Sequence, residues 1–419
     1  MSKGAEVYSL TEGVTSPMVD SEAFTKQAYK WVKNHVHANE KVGLAVSGGT
    51  DSSVAARILR DSVGENLYLM HMDHGFMRLI DGNKESDIVA QMFSDYPNFT
   101  CRSDVKDRFY GAVRGIEDGN EKRAAFRKVY TEVLSETMEP LKCIWTSDGT
   151  IKPDIRETKG GIKLQHNVDL PFVQNKLEPL AALSKQEVRA LAKYLGIPHL
   201  RQPFPGPGLL IRTVGTYSPE KLKVEKKAND IVEHEYKNYM LKRYGAEMLI
   251  DEKTGLQRPF QTLAATFDYK GLASFTKGML TKLGIIKFPK LKAKVTGVID
   301  EEGKYERIYK RPSLMMLWSP EYISLLYFIF NPEQRYDDKF SRVIEKIGSH
   351  RVLYHVEEKK YGDFAVAIRA VDSVDVKIAF PNFGPPIQWA ASRIINEIPE
   401  VSTVFYDITP KPPATVEYE

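Results

Sequence analysis

Ser47-Gly-Gly-Thr-Asp-Ser-Ser53 is the stretch of the chain richest in groups that do chemistry. Gly48 and Gly49 let the backbone turn sharply and let a ligand approach it with no Cβ in the way. Ser47, Ser52 and Ser53 add hydroxyl donors. The string stands where an apolar run, Lys41-Val-Gly-Leu-Ala-Val46, gives way to a helical pattern. Backbone N–H groups and the positive end of a helix then converge on one point, which is where a phosphate binds. Asp51 is the informative member, because a carboxylate beside a phosphate repels it unless a divalent cation lies between them. A Mg2+ ion bridging Asp51 to pyrophosphate oxygens removes the conflict. A turn with Ser and Asp serving only as helix caps explains a bare Gly-Gly, but the full string between strand and helix points to nucleotide binding. It is not a Walker A motif, since no Gly-Lys-Ser/Thr follows four residues after a glycine.

That loop needs a scaffold. From about Lys41 to Gly196 short β-branched runs alternate with helical patterns, the signature of a parallel sheet covered by helices. Strands are expected over Lys41–Val46, Asn66–Met72 and Lys142–Trp145. Helices are expected over Asp51–Arg60, with Val54, Ala55, Ile58 and Leu59 on one face, and over Asn83–Phe93, Glu121–Met138 and Ser184–Leu195. The last has Ser184 as N-cap, Glu187 as its capping-box partner, and Gly196 then Pro198 as the stop. The expected fold class is α/β, a doubly wound parallel sheet.

Arg201-Gln-Pro-Phe-Pro-Gly-Pro-Gly208 packs three prolines and two glycines into eight residues, so it is neither helix interior nor central strand. A boundary there divides the chain into 1–205, the α/β domain with a short N-terminal extension, and 206–419, an α+β domain. In the second part strands are expected at Val295–Ile299, Arg351–His355 and Phe364–Ala370, with helices at Glu220–Glu235, Pro320–Phe330 and Ile387–Ile398. The strings Glu301-Glu-Gly-Lys-Tyr305 and Glu357-Glu-Lys-Lys-Tyr361 hint at a duplicated unit.

Composition excludes several classes. The 419 residues are 42% hydrophobic and 11% aromatic, ample for real cores, so disorder is not the main state. A net charge of +4 demands neither a nucleic-acid nor a membrane partner. Two cysteines, Cys101 and Cys143, make neither a disulfide scaffold nor a zinc ribbon. The first 40 residues carry no secretory signal pattern, and Pro320 and Glu321 interrupt the most apolar window, Leu314–Phe330. A cytoplasmic location is expected. His71, Asp73 and His74 are of metal-ligating types, but alternate residues of a strand point to opposite faces, so the three do not converge.

The loop 47–53 resembles the pyrophosphate loop, SGGxDS, of the ATP pyrophosphatases, which cleave ATP between the α and β phosphates while adenylating a carbonyl oxygen. Further strings, covering most of the chain, are similar in order to those of the GMP synthetase family. His71-Met-Asp-His-Gly-Phe-Met-Arg78 resembles its VDxGxxR motif, and Asp118-Gly-Asn-Glu-Lys-Arg123 its DPExKR segment. Asp148-Gly-Thr-Ile-Lys-Pro-Asp154 resembles QGTxxPD, and Ile162-Lys-Leu-Gln-His-Asn-Val168 the lid IKxHHNV, with Gln165 for the first histidine. Gln202-Pro-Phe-Pro-Gly-Pro-Gly-Leu209, followed by Ile211-Arg212, is nearly HPFPGPGLxIR, with Gln202 for the histidine. The C-terminus from Tyr406 to Glu419 resembles YDISxKPPATIEWE.

The resemblance implies ATP-dependent amination of XMP to GMP by a carbon–nitrogen ligase, through an adenylated purine. It implies ATP contacts from Ser47, Gly48, Gly49, Asp51, Ser52, Ser53, Asp73 and Gly149, with Mg2+ on Asp51. Asp51 and Lys163 are the implied catalytic residues, the lysine neutralising pyrophosphate charge. Arg123, Phe204, Pro205, Gly206, Arg212, Lys411, Thr415 and Glu417 are implied for XMP. No glutaminase elbow is present, so ammonia is expected from solution or from a separate glutaminase subunit, the chain itself being a homodimer or monomer. About 240–338 is extra relative to the family's short second domain, and the family's MTA string appears as Lys377-Ile-Ala379. The family's glutamine before the last β unit has only Gln261 and Gln334 as candidates. Two other readings stand beside this one: an ATP pyrophosphatase acting on another purine or a tRNA base, and a degenerate nucleotide-binding regulator.

Overall fold

The computed structural model describes residues 5–159, 173–199, 202–245, 260–269, 295–299, 305–308, 353–373, 379–382, 384–409 and 416–418. The first part runs β1 (Glu6–Ser9), α1 (Ser21–His35), β2 (Val42–Ala45), α2 (Thr50–Val63), β3 (Leu67–Met72), β4 (Leu79–Ile80), β5 (Asn83–Lys84), α3 (Glu85–Met92) and β6 (Phe99–Arg102). It continues with α4 (Lys106–Val113), α5 (Gly119–Met138), β7 (Trp145–Ser147), α6 (Lys152–Lys159), β8 (Asn175–Glu178) and α7 (Lys185–Tyr194).

Six of these strands form one sheet in the order β1-β8-β7-β2-β3-β6, and every neighbouring pair is parallel. Strand alternation sorts its side chains. Leu67 and Leu69 of β3 join Phe24, Ala28 and Val32 of α1, Val54 and Ile58 of α2 and Leu191 of α7 on one face. Met70 and Met72 join Phe109 and Val113 of α4 and Phe126, Val129 and Val133 of α5 on the other. Both faces are thus covered, as the doubly wound reading requires.

The capping box at Ser184 and Glu187 forms as expected. Asp118 accepts from the Asn120 and Glu121 amides, starting α5 at Gly119. Other expectations shift. The strand sought at 142–145 begins only at Trp145, because Glu139–Leu141 extends α5 as a 3-10 turn and Lys142 takes a left-handed φ of 57°. The helix sought from Asn83 starts at Glu85, since Asn83 and Lys84 pair with Ile80 and Leu79. Residues 6–9 form an edge strand beside β8, with Ser9 donating to Glu178 at 2.7 Å.

The second part contains α8 (Pro219–Tyr244), β9 (Phe260–Asp268), the antiparallel pair β10 (Val295–Ile299) and β11 (Tyr305–Ile308), then β12 (Leu353–Glu358), β13 (Phe364–Ser373), β14 (Ala379–Pro381), α9 (Pro386–Glu397) and β15 (Val401–Asp407). Ser218 caps α8, Pro219 fits its first turn, and Gly245 at φ 70° ends it. β13 pairs with β9 antiparallel, with β15 parallel, and through its last three residues with β14. β12 lies beyond β15. Val232 and Tyr236 of α8 and Ala391 and Ile394 of α9 pack with Val366 and Ile368 of β13. β9 lies inside the stretch 240–338 and supplies nine register pairs to β13. The expected helix 320–330 and the lid 162–168 lie outside the described residues.

The two parts are stitched together at 208–214. Leu209 and Leu210 enter the core of α4 and α5, while the Thr266 amide donates to Arg212 O at 2.9 Å and the Val214 amide to Thr266 O at 2.8 Å. No helix of the described residues is long and apolar enough to cross a membrane.

Candidate active site

The chain runs from β2 outward to β3 and β6, then returns to β7 and β8 on the other side of β2. The strand order therefore reverses between β2 and β7, and the crevice beyond their carboxyl ends is where open parallel sheets bind ligands. Two of the stretches implied for ATP, the loop 47–53 and Gly149, lie there. Gly48 has φ +73°, and a Cβ on it would lie 2.3 Å from Val89 Cγ2 of α3. Glycine is thus required for the left-handed turn and again for the packing of α3. Gly149, just beyond β7, lies so close to α2 that a Cβ would sit 2.8 Å from both Asp51 C and Ser52 N.

No side chain caps α2 at Gly49, which leaves its positive end to an anion. The serines gather at that point. Ser47 Oγ accepts from the Gly49 amide at 3.3 Å and lies 3.3 Å from Ser52 Oγ, while Ser52 and Ser53 donate to Gly49 O at 3.1 and 2.9 Å.

Asp51 brings a partner that the sequence reading missed. Lys185 Nζ, in the first turn of α7, lies 2.7 Å from both of its carboxylate oxygens. Arg189, one turn further on, is buried; burial opposes its charge and the Asp51 carboxylate favours it. The capping box puts Lys185 at the start of a helix, but no spacing in the chain says that this helix lies against α2. A third cation, Lys176, is held by Asp148 at 2.6 Å and Glu178 at 3.1 Å. Burial opposes its charge, and the two carboxylates more than offset that.

Among the described residues no three His, Cys, Asp or Glu side chains form a metal-binding group. Asp51 remains as one hard oxygen donor, partly exposed beside the N-terminus of α2, which no side chain caps. That suits a cation that takes one carboxylate and completes its shell with phosphate oxygens and water, the usual habit of Mg2+.

Asp73 lies at the carboxyl end of β3, engaged by Lys106 at 2.7 Å and the Gly75 amide at 3.1 Å. Burial works against its charge, but these partners hold the carboxyl below its ordinary range. His71 Nδ1 donates to Val46 O at 2.9 Å, and His74 Nδ1 accepts from the Phe76 amide at 3.2 Å. Burial lowers the pKa of both imidazoles, that of His74 to about 3.

The junction motif is fastened to this region. A Cβ on Gly208, at φ +63°, would lie 2.3 Å from Phe76 O, the oxygen to which the Leu209 amide donates. Phe204 lies 4.7 Å from the Arg78 guanidinium and 5.1 Å from that of Arg212. Pro205 O accepts from the Gly208 amide, and Gly206 is exposed at the tip. Gln202 exchanges two hydrogen bonds with Thr262 of β9, at 2.8 and 2.7 Å. Of the basic pair opening α5, Lys122 is fully buried and donates to Thr213 O at 2.8 Å, whereas Arg123 is half-buried. Arg212 grips Glu417 with two bonds of 2.9 and 2.8 Å. Gln261 sits on β9 opposite Val371. Lys163, Lys411, Thr415, Gln165, Gln334 and Lys377 lie outside the described residues.

Residues 339–418 match the family described as GMP synthase C terminal domain. The chain is 33% identical to the B-type subunit of the glutamine-hydrolyzing GMP synthase of Saccharolobus solfataricus, over 96% of this chain and 100% of that one. The corresponding proteins of Methanocaldococcus jannaschii and Methanopyrus kandleri are 32% and 30% identical, again over 96% of this chain and the whole of each relative. An NH3-dependent NAD synthetase structure from Campylobacter jejuni aligns at 18% identity and a TM-score of 0.33, over 42% of this chain and 74% of that one. At 33% identity over 96% of its length and the whole of that first relative, the chain belongs to the family of GMP synthase B-type subunits.

Proposed function

We propose that this chain is a ligase that aminates XMP to GMP at the expense of ATP, releasing AMP and pyrophosphate. The observation that carries the reading is the placement of Ser47–Ser53 at the sheet's switch point, with Gly149 packed against the first turn of α2, in a chain aligned end to end with GMP synthase subunits. The α2 amides and the hydroxyls of Ser47, Ser52 and Ser53 bind the β and γ phosphates of ATP. Asp51 holds Mg2+, which supplies charge neutralisation at the phosphates and leaving group. With Mg2+ on Asp51, Lys185 and Lys163 would each offer an ammonium group to the phosphate oxygens.

The purine 2-oxygen attacks the α-phosphorus, pyrophosphate leaves, and ammonia then displaces AMP from the adenylated base. Holding both nucleotides in one crevice replaces a bimolecular encounter with a positioned one. Arg123, the junction 204–206, and the C-terminal Lys411, Thr415 and Glu417 are assigned to XMP, with Arg212 behind Glu417 on the same side, and Asp73 to the adenosine side. The relatives are each named as one subunit of a glutamine-hydrolyzing enzyme, which supports a separate polypeptide as the ammonia source. Nothing in the relatives favours a tRNA base, another purine or a purely regulatory role. The test is a purified-chain assay: ATP, Mg2+, XMP and ammonium should yield AMP and GMP in equal amounts, and glutamine in place of ammonium should yield neither. Absence of AMP with ammonium, or AMP formation independent of XMP, rejects the reading.

A further inference from the structure

Arg212 is 2% exposed, yet it carries a long, charged, fork-shaped group, and the contacts of that fork are all directed. Nε and Nη2 donate to the two oxygens of Glu417 at 2.9 and 2.8 Å, and Nη1 donates to Asn229 Oδ1 at 2.9 Å. Asn229 is itself fixed, donating to Glu233 at 2.8 Å and accepting from the Ala264 amide at 3.3 Å. The main chain of Arg212 is held from both sides, its amide donating to Leu209 O and its carbonyl accepting from Thr266. Glu417 is likewise not a loose chain end. Its neighbour Tyr418 is fully buried and donates to Asp407 at 2.8 Å, and Asp407 is paired with buried Arg369 at 3.1 Å and accepts from the Thr409 amide.

A guanidinium fork occupies one lone pair on each carboxylate oxygen, so a carboxylate held this way can accept further hydrogen bonds from a ligand. Glu417 therefore combines a fixed orientation with acceptor capacity beyond the fork, on a side chain that is 20% exposed. Loss of the fork would remove the two bonds that set the direction of that carboxylate, and reorienting it would add a cost to ligand binding. We propose that Arg212 is a positioning residue: through its two bonds to Glu417 it sets that carboxylate as a fixed acceptor for the purine nucleotide, and does not itself touch the ligand. This rests on the XMP reading above and adds to it a reason for the buried arginine.

Two conservative variants of the full chain test it. Arg212→Lys keeps the charge and loses the fork, and Glu417→Asp keeps the carboxylate but shortens its reach. Each should raise KM for XMP about tenfold while kcat and the KM for ATP stay within about twofold. Because both break one interaction, the double variant should be no worse than the poorer single. A KM for XMP unchanged in either variant, a parallel rise in the KM for ATP, or effects that multiply in the double overturns the proposal. If Arg212→Lys does not fold, Glu417→Asp decides alone by the same criterion. Failure of the XMP reading shows instead in the unmodified chain, as absence of XMP-dependent AMP.

Discussion

Lys185 and Asp51 meet as a closed two-point pair, the ammonium 2.7 Å from each carboxylate oxygen. The pair joins the first turn of α7 to the first turn of α2, across the point where the phosphates of ATP are proposed to lie. Both side chains are partly exposed, 36% and 27%, so the pair itself stabilises the fold by only about 0.5 kcal/mol. Its significance is chemical. The lysine neutralises the Asp51 carboxylate at the place proposed for the ATP phosphates.

Asp51→Asn should lower the rate of AMP formation at least about 100-fold and remove its saturable dependence on Mg2+, with little change in melting temperature. Lys185→Ala should retain the Mg2+ dependence but lose rate, because the metal site survives while one phosphate cation is gone. A magnesium titration of AMP release in the two variants separates them. Equal loss of metal dependence in both would mean that the two side chains do not divide the labour in this way.

Gly149 is a second point of pressure on α2. A methyl group there would have to displace main chain, not a flexible side chain, since Asp51 C and Ser52 N are each 2.8 Å from the Cβ position. Gly149→Ala should therefore cost about 1–3 kcal/mol of stability and, by shifting the amides that face the phosphates, raise KM for ATP more than KM for XMP. Melting curves together with the two KM values check this; a rise confined to XMP would place Gly149 on the wrong nucleotide.

What the chain's letters disclose follows from what each element has to do. β2 and β3 are buried on both faces and read as apolar runs, so their expected bounds nearly coincide with the observed ones. β6, with sequence FTCR, and β8, with sequence NKLE, give no such signal: the first is an edge strand, and the second carries Lys176 and Glu178 into an ion-paired cluster. The sharp turn at Gly48 was legible because only glycine fits it. Lys185 and Asn229 were not, because their roles arise from contacts across the fold, with Asp51 134 positions and Arg212 17 positions away. Periodicity carries no information about such distant neighbours.

His74 offers a pH signature. It is buried against Phe109 and Phe126, with ring centres 5.7 and 4.9 Å away, and accepts the Phe76 amide hydrogen at Nδ1, a role open only to the neutral ring. Burial, with smaller contributions from His71 and Lys226, depresses its pKa from the ordinary 6.5 to about 3, against an opposing influence of Asp73. As pH falls the unfolded chain thus takes up a proton that the folded chain refuses. The stability due to the neutral ring is complete above about pH 6.5 and is lost as pH falls towards about 3, with a slope approaching one proton. Asp73, whose carboxyl is held below its usual range by Lys106 and Gly75, adds a loss of the same sign at the acid end of that window. His74→Gln keeps an acceptor for the amide and cannot titrate. It should be somewhat less stable than the unmodified chain near neutrality, yet lose less on acidification, so that melting temperatures of the two proteins converge between about pH 7 and pH 4. Parallel curves would show that the proton is taken up elsewhere, and would free His74 from any part in the acid lability of the junction that Gly208 and Leu209 make with Phe76.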